Sequence, residues 1–152
     1  MKLEDICSLP VRELADKNCL LFLWTTFPKL EEAFQVIKSW GFIYKTCAFV
    51  WAKQNLNKDS FFMGLGYWTR SNVEVCLLAT KGSPKRLSRK VRQLIVSHRE
   101  KHSRKPNEIR DRIIQLVGDL PRIELFAREK YPGWDAWGDE IQPDIVFPLP
   151  KW

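Results

Sequence analysis

The stretch Asn18–Trp24 (Asn-Cys-Leu-Leu-Phe-Leu-Trp) is a continuous apolar run of strand length. Such a run is typical of a central strand that is covered on both faces. Between Leu30 and Trp40 the apolar residues then recur at helical spacing, and Gly41 stands where a helix is expected to end. A buried strand followed by an amphipathic helix is typical of an α/β domain. We therefore predict an α/β fold.

The remaining elements extend this pattern along the chain. Strands alternate with amphipathic helices, which indicates a largely parallel sheet with helices on both faces. We expect one domain over residues 1–152, with an irregular tail at 142–152. The further elements are predicted as a short helical piece at Leu9–Leu14, strands at Phe42–Lys53, Val73–Thr80 and Arg122–Arg128, a loop at Gln54–Gly66, and a helix from about Pro106 to Gly118.

Composition limits the compartment and the chemistry. No apolar run approaches the roughly 20 residues that span a bilayer, and no signal peptide follows Met1, so we expect a cytoplasmic protein without a membrane partner. The four cysteines lack C-x-x-C spacing, which favours free thiols. Because His98 and His102 are the only histidines and no cysteine pair accompanies them, we expect no metal site.

Positive charge is concentrated in one part of the chain. Between Lys81 and Arg112 twelve basic residues face three acidic ones, a net +9 in a chain of net +7. A basic segment in an otherwise near-neutral chain suits binding to a phosphate backbone, and a solvated face or mobile loop is the simpler alternative. We predict the basic segment at 81–105 as a nucleic-acid contact, with Arg86, Arg89 and Lys90 among its phosphate-binding residues.

Ligands of open α/β sheets collect at the carboxyl ends of strands. Lys81 follows a predicted strand and can neutralise a carboxylate, although a lysine before Gly82 also suits a plain turn. Phe126 and Arg128 end the last predicted strand. There the Phe126 ring and the Arg128 guanidinium can hold a ligand. The alternative is that Phe126 packs in the core and Arg128 is a surface charge. We expect Lys81 and Arg128 to meet at one edge of one sheet.

Five short strings carry a family resemblance. In order and spacing they resemble the adenine-N6 methyltransferases related to the catalytic subunit of the eukaryotic mRNA methyltransferase, which include prokaryotic and phage members. The resemblance runs from about Leu3 to Ile141. The strings are Gly66–Glu74 (Gly-Tyr-Trp-Thr-Arg-Ser-Asn-Val-Glu), Ala79–Gly82 (Ala-Thr-Lys-Gly), His102–Glu108 (His-Ser-Arg-Lys-Pro-Asn-Glu), Ile123–Arg128 (Ile-Glu-Leu-Phe-Ala-Arg) and Gly133–Gly138 (Gly-Trp-Asp-Ala-Trp-Gly).

The resemblance implies S-adenosylmethionine as cofactor, adenine-containing DNA or RNA as substrate, and a Rossmann-like methyltransferase sheet. It places Lys81 at the cofactor carboxylate. Asp139 stands where members usually have Asn, so it can accept a hydrogen bond but cannot donate one. The other implied cofactor residues are Glu124, Leu125, Phe126, Arg128 and Glu140, and those on the adenine side are Tyr67, Trp68, Arg70, Asn72 and Glu74.

The family's Asp-Pro-Pro-Trp motif is absent from this sequence. In the family that motif holds the adenine amine for methyl transfer, and positioning of this kind carries much of the catalysis. We therefore expect a sheet that lacks its first strand, with Met1 as an internal position, and a methyltransferase that is truncated and inactive as given. The alternative is a catalytically silent subunit of the same fold that binds nucleic acid or a partner. Assembly as a homo- or hetero-oligomer stays open.

Overall fold

A computed structural model describes residues 1–66, 68–99 and 104–147. Four strands form the larger sheet, in the spatial order β1-β3-β2-β4. Three of these strands were predicted, and their ends differ from the prediction by at most one residue, whereas β4 lies inside the basic segment and was not predicted. The strands are β1 (Cys19–Thr25), β2 (Ile43–Gln54), β3 (Val73–Lys81) and β4 (Leu94–His98).

Helices pack on both faces of this sheet, as predicted. Helix α3 buries Ala33, Val36 and Ile37 and ends before Gly41, whose φ of 85° lies in the left-handed region that favours glycine. Its burial pattern confirms the helical spacing seen in the sequence. The helices are α1 (Leu3–Ser8), α2 (Val11–Leu14), a 3₁₀ turn (Phe27–Lys29), α3 (Leu30–Ser39) and α4 (Glu108–Val117).

The expectation of a largely parallel sheet is wrong. Strand β3 runs antiparallel to both β1 and β2, and only β2 and β4 are parallel. The physical reason is the connection between β2 and β3, because its described residues, 55–66 and 68–72, form a loop without a crossover helix and the chain returns in the opposite direction. Apolar runs report burial and do not encode strand direction.

The last predicted strand belongs to a separate small sheet. Strand β5 (Ile123–Leu125) pairs in parallel with β6 (Asp135–Trp137), a strand that was not predicted from the sequence. Phe126 adopts a φ of 59° and ends β5 earlier than the predicted Arg128. Residues 142–147 follow without regular structure.

Two apolar clusters lie on opposite faces of the larger sheet. Val75, Leu77 and Ala79 of β3 pack with α3 and with the rings of Trp137 and Phe147, while Cys76 joins Phe49, Trp51, Ile95 and Ile109 on the other face. Successive side chains of a strand point to opposite faces, which explains this division. The small sheet contributes Ile123 and Leu125 to the first cluster, so both sheets share one core.

No helix among the described residues is long and apolar enough to cross a membrane. Cys7, Cys19, Cys47 and Cys76 are free thiols. Cys76 is fully buried, and this burial raises the pKa of its thiol.

Candidate functional site

One edge of the larger sheet collects charged and aromatic side chains. Because β3 is antiparallel to its neighbours, its first residues lie beside the last residues of β1 and β2, with Thr25 opposite Val75 and Trp51 opposite Glu74. Strand β4 ends at the same edge, since His98 pairs with Gln54. We call this the Glu74 edge.

A buried carboxylate lies at the centre of the Glu74 edge. The Glu74 side chain is 9% exposed, and its two oxygens contact the Nζ atoms of Lys53 at 2.9 Å and Lys105 at 2.8 Å. Burial alone would raise the pKa of Glu74, but the charges and hydrogen bonds of Lys105 and Lys53 together outweigh it and hold that pKa below its usual value. Two ammonium groups on one carboxylate leave residual positive charge, which suits an anionic ligand.

Aromatic rings surround these cations. Lys105 Nζ lies 5.6 Å from the Trp24 ring centroid, and Lys53 Nζ lies 5.5 Å from that of Trp51. The two indole rings meet edge to face with centroids 6.4 Å apart. Ring faces are attractive to cations, so this arrangement fixes the lysine heads while leaving them partly open to solvent.

The segment 104–110 joins the two sheets through three ion pairs. Lys105 binds Glu74 of the larger sheet, Arg104 lies 3.3 Å from Glu129 after β5, and Arg110 lies 2.8 Å from Glu124 within β5. Arg110 is almost fully buried and stacks at 4.4 Å on the ring of Tyr131. Glu74 and Glu124, which the resemblance assigned to substrate and cofactor, are thus held by one short segment.

Leu125 in β5 and Phe126 just after it differ in how accessible they are to a ligand. Leu125 packs into the shared core and pairs with Trp137. Phe126 is 40% exposed, and its ring meets Trp137 edge to face at 5.3 Å. The structure therefore gives Leu125 a packing role and leaves the Phe126 ring accessible.

Three further predicted cofactor residues are exposed near this ring. Arg128 Nη1 lies 3.9 Å from Glu140 Oε1, and both side chains are about half exposed. Asp139 is exposed beside Glu140. Because the Arg128–Glu140 contact is long and exposed, the Arg128 guanidinium and the carboxylates of Glu140 and Asp139 can all form hydrogen bonds with a ligand.

Lys81 lies at the opposite end of β3 from Glu74. They are seven steps apart along an extended strand, a distance of about 23 Å. The next residue, Gly82, has a φ of 70°, and a side chain there would clash with the carbonyl of Lys17. Lys81 therefore closes a tight turn, and its assignment to the cofactor carboxylate stays a prediction.

The expectation that Lys81 and Arg128 meet at one edge of one sheet is wrong. Arg128 follows β5 of the small sheet, whereas Lys81 ends β3 of the larger sheet. The error has two causes: the last strand forms a sheet of its own, and β3 runs antiparallel to β1 and β2, so it does not end at the edge where they end.

The predicted substrate loop lies over the Glu74 edge. Trp68 is fully exposed, Arg70 and Asn72 are exposed, and the Asn72 carbonyl accepts a hydrogen bond from the Lys53 N–H. Glu74 is buried under two lysines and does not face solvent. Tyr67 lies outside the described residues.

Arg86, Arg89 and Lys90 lie elsewhere, in the loop before β4. All three are exposed, and none forms an ion pair with another residue in the described parts of the chain. The Leu87 N–H donates to the Leu116 carbonyl, which anchors this loop at the C-terminal end of α4. The basic segment is thus divided between this loop and the ion pairs of segment 104–110.

Sequence reasoning missed the central role of Lys53, Lys105 and Trp24. Lys53 and Trp24 stand at the ends of predicted strands, where ligands are expected, so their position was a usable signal. Lys105 was counted only as part of a basic segment, and nothing local in the sequence links it to Glu74. Within the described residues no group of three or more His, Cys, Asp or Glu side chains could hold a metal ion.

Comparison with known proteins defines the class to which this fold and site belong. The MT-A70 family profile matches residues 1–140. The type II methyltransferase M.MunI of Mycoplasma sp is 41% identical over 152 residues, which cover 99% of this chain and 62% of the relative. The N(6)-adenosine-methyltransferase MT-A70-like protein of Drosophila melanogaster is 31% identical over 158 residues, covering 97% of this chain and 26% of the relative.

The human N(6)-adenosine-methyltransferase catalytic subunit METTL3 is 29% identical over 136 residues, covering 83% of this chain and 23% of the relative. The chain thus spans about three fifths of the bacterial relative and about a quarter of the two animal relatives. Because the family profile matches nearly all of its length, the chain belongs to the MT-A70 family.

Proposed function

We propose that this chain is part of an S-adenosylmethionine-dependent adenine-N6 methyltransferase that acts on nucleic acid. The observation that carries the proposal is the Glu74 edge, where one carboxylate holds Lys53 and Lys105 among aromatic rings in a chain of the MT-A70 family. Adenine rings stack on aromatic side chains, and phosphates pair with the residual positive charge. The names of the relatives support the reaction class.

The residues after β5 fit the cofactor. The Glu140 and Asp139 carboxylates can accept hydrogen bonds from ribose hydroxyls, and the exposed Phe126 ring can pack against an adenine. When bound, S-adenosylmethionine supplies a methyl group on a positively charged sulfur. Arg128 can exchange its loose contact with Glu140 for a ligand oxygen.

Lys105 is a better candidate than Lys81 for the carboxylate of the cofactor. Its ammonium lies 2.8 Å from Glu74 Oε1, and its neighbour Arg104 contacts Glu129 after β5, so segment 104–110 links this cation to the exit of β5. Glu124 then acts through Arg110, whose guanidinium it fixes beside Tyr131. In this arrangement Glu124 positions the wall of the site, and Leu125 supports it from the core.

We also propose that one further strand beside β1 completes a Rossmann-like sheet. In the described parts of the chain β1 pairs only with β3, and its residues Cys19–Thr25 include no charge that would protect an open edge. The motif that holds the adenine amine in this family would lie on such a strand. It can come from the same polypeptide or from another subunit.

A catalytically silent subunit is the second candidate function. The observation that favours it is the absence of Asp-Pro-Pro-Trp from the 152 residues. Such a subunit would keep the basic residues for nucleic acid or a partner protein while needing no cofactor. Cofactor binding therefore separates the two candidates.

Photochemical labelling tests the proposed cofactor site. On irradiation with S-adenosylmethionine tritiated at the methyl group, we expect label in the tryptic peptide Ile123–Arg128, since the exposed Phe126 ring lies there. Excess S-adenosylhomocysteine should prevent labelling. Phe126→Leu removes the ring and should abolish it, whereas Phe27→Leu, at another exposed ring, should not. Label that resists competition, or that persists in Phe126→Leu, would refute the assignment.

A further inference from the structure

Loop 55–72 presents a row of apolar side chains to solvent. From Phe61 to Gly66 the residues alternate, with Phe61, Met63 and Leu65 exposed and the three residues between and after them half-buried. This two-residue period is that of an extended strand. Its apolar side faces outward here, which is the reverse of what burial in the core would produce.

Hydrogen bonds and cations hold the inner side of the row. The Phe62 N–H donates to the Lys53 carbonyl at 2.8 Å, and the Gly64 N–H donates to the Ser71 carbonyl at 2.6 Å. The Arg99 guanidinium lies 4.0 Å from the Phe62 ring centroid, with Lys53 Nζ on the same ring at 5.6 Å. The outer side chains are therefore displayed on an anchored segment next to the Glu74 edge.

The surroundings of the row indicate what would cover it. Leu65 is 88% exposed and Trp68 is fully exposed, and the nearby cations are Arg70 in the same loop and Lys53 and Arg99, whose charged groups lie on the ring of Phe62. An apolar peptide would leave this charge without a counterpart. Unpaired nucleobases offer flat faces for the rings, and the phosphates that join them match the cations.

We propose that the outer row, comprising Phe61, Met63, Leu65 and Trp68, is a stacking platform for unpaired bases that flank the target adenine. The inference rests on the proposed function, because it takes a nucleic-acid strand as the substrate. Base faces are hidden in an intact duplex, so the platform selects single-stranded or locally opened substrate. The four side chains position the strand and take no part in the chemistry.

A salt series on the full chain tests the platform. Trp68→Ala should weaken binding of an adenine-containing single-stranded oligonucleotide roughly 5- to 150-fold, the range measured for loss of one stacked base. The slope of log affinity against log salt should not change, because stacking releases no counterions. Trp68→Phe should retain most of the affinity.

Two control variants separate stacking from charge and from general surface effects. Arg86→Ala, Arg89→Ala and Lys90→Ala combined should flatten the salt slope, since these cations are placed to contact phosphates. Val146→Ala, at an apolar residue that is 90% exposed outside the loop, should bind as wild type. Thermal melting verifies that every variant is folded.

Wild-type affinity in Trp68→Ala would overturn the platform while leaving the nucleic-acid substrate intact. Self-association that Trp68→Ala abolishes without a change in oligonucleotide binding would also overturn it, by making the row a protein interface. If the wild-type chain binds neither single-stranded nor duplex nucleic acid, both the proposed nucleic-acid substrate and the stacking platform are refuted.

Discussion

At the scale of single residues, Glu74 illustrates how one buried charge can organise a site. Its carboxylate is buried at the start of a strand, where an unpaired charge would be costly, and Lys53 and Lys105 remove that cost. The two lysines come from β2 and from the segment before α4. Glu74 therefore connects the sheet to the segment that also holds Glu124 and Glu129.

Glu74→Gln should destabilise the chain by about 1–3 kcal/mol at pH 7, since it leaves two partly buried ammonium groups without their counter-charge. The folded-state pKa of Glu74 is lowered, so its stabilising contribution is complete above the ordinary glutamate value of 4.5 and is lost as the pH falls through the lower folded value. The difference in unfolding free energy between Glu74→Gln and wild type should therefore shrink in acid. Urea unfolding of both proteins at pH 7 and at a pH below the folded-state pKa of Glu74 measures this difference.

Glu140→Gln is the matched control, because its contact with Arg128 is 3.9 Å long and half exposed. Its effect on the free energy of unfolding should stay below about 0.5 kcal/mol. Equal losses in the two variants, or a Glu74→Gln loss that does not diminish in acid, would show that the buried ion pairs contribute little.

At the scale of elements, periodicity in the sequence predicted β1, α3, β2 and β3 because each buries a long apolar face. It missed β4 and β6, since β4 is a five-residue edge strand inside a basic segment and β6 spans three residues in a region rich in Trp and Pro. Strand direction was also missed. It depends on which connection crosses the sheet, and local patterns do not encode this.

The site was predictable to the extent that strand ends mark it. Trp68, Arg70, Phe126 and Arg128 are exposed near strand ends and their binding roles stay predictions, while nothing in the sequence linked Lys105 to Glu74. That contact joins residues 31 positions apart and depends on the docking of α4. Long-range contacts of this kind arise from tertiary packing and cannot be predicted from local sequence patterns.

The open edge of β1 gives a testable consequence. Amide hydrogens of β3 have partners on both sides, whereas alternate amides of β1 point away from β3. In dilute solution these β1 amides should exchange with deuterium much faster than those of β3, as NMR can resolve. Slow exchange along all of β1 would mean that its edge is already covered, and would contradict the proposed site for an additional strand.

At the scale of the whole molecule, the basic groups are spread over both ends of α4. Lys105 of the Glu74 edge lies just before its start, and the loop of Arg86, Arg89 and Lys90 lies at its end. A helix of ten residues is about 15 Å long. Phosphates along one strand of duplex DNA are about 3.4 Å apart in axial projection, so a substrate that contacts both groups extends over at least four to five nucleotides.

The proposed substrate and cofactor residues lie on different sheets. The larger sheet supplies the Glu74 edge and the substrate loop, and the small sheet supplies the exposed groups Phe126, Arg128 and Glu140. Segment 104–110 fixes their relation through its three ion pairs. We propose that a cofactor bound beside β5 lies next to the adenine side, because methyl transfer requires the two ligands to be in contact.

Calorimetric titration with S-adenosylhomocysteine is the most direct test that this chain is part of a methyltransferase. We predict weak but saturable binding that Arg128→Ala reduces at least severalfold, while Lys81→Ala, at the opposite end of β3, leaves it unchanged. Weak binding is expected because a strand beside β1 would supply another wall. Absence of heat at millimolar ligand, or binding that is insensitive to Arg128→Ala, would contradict the account.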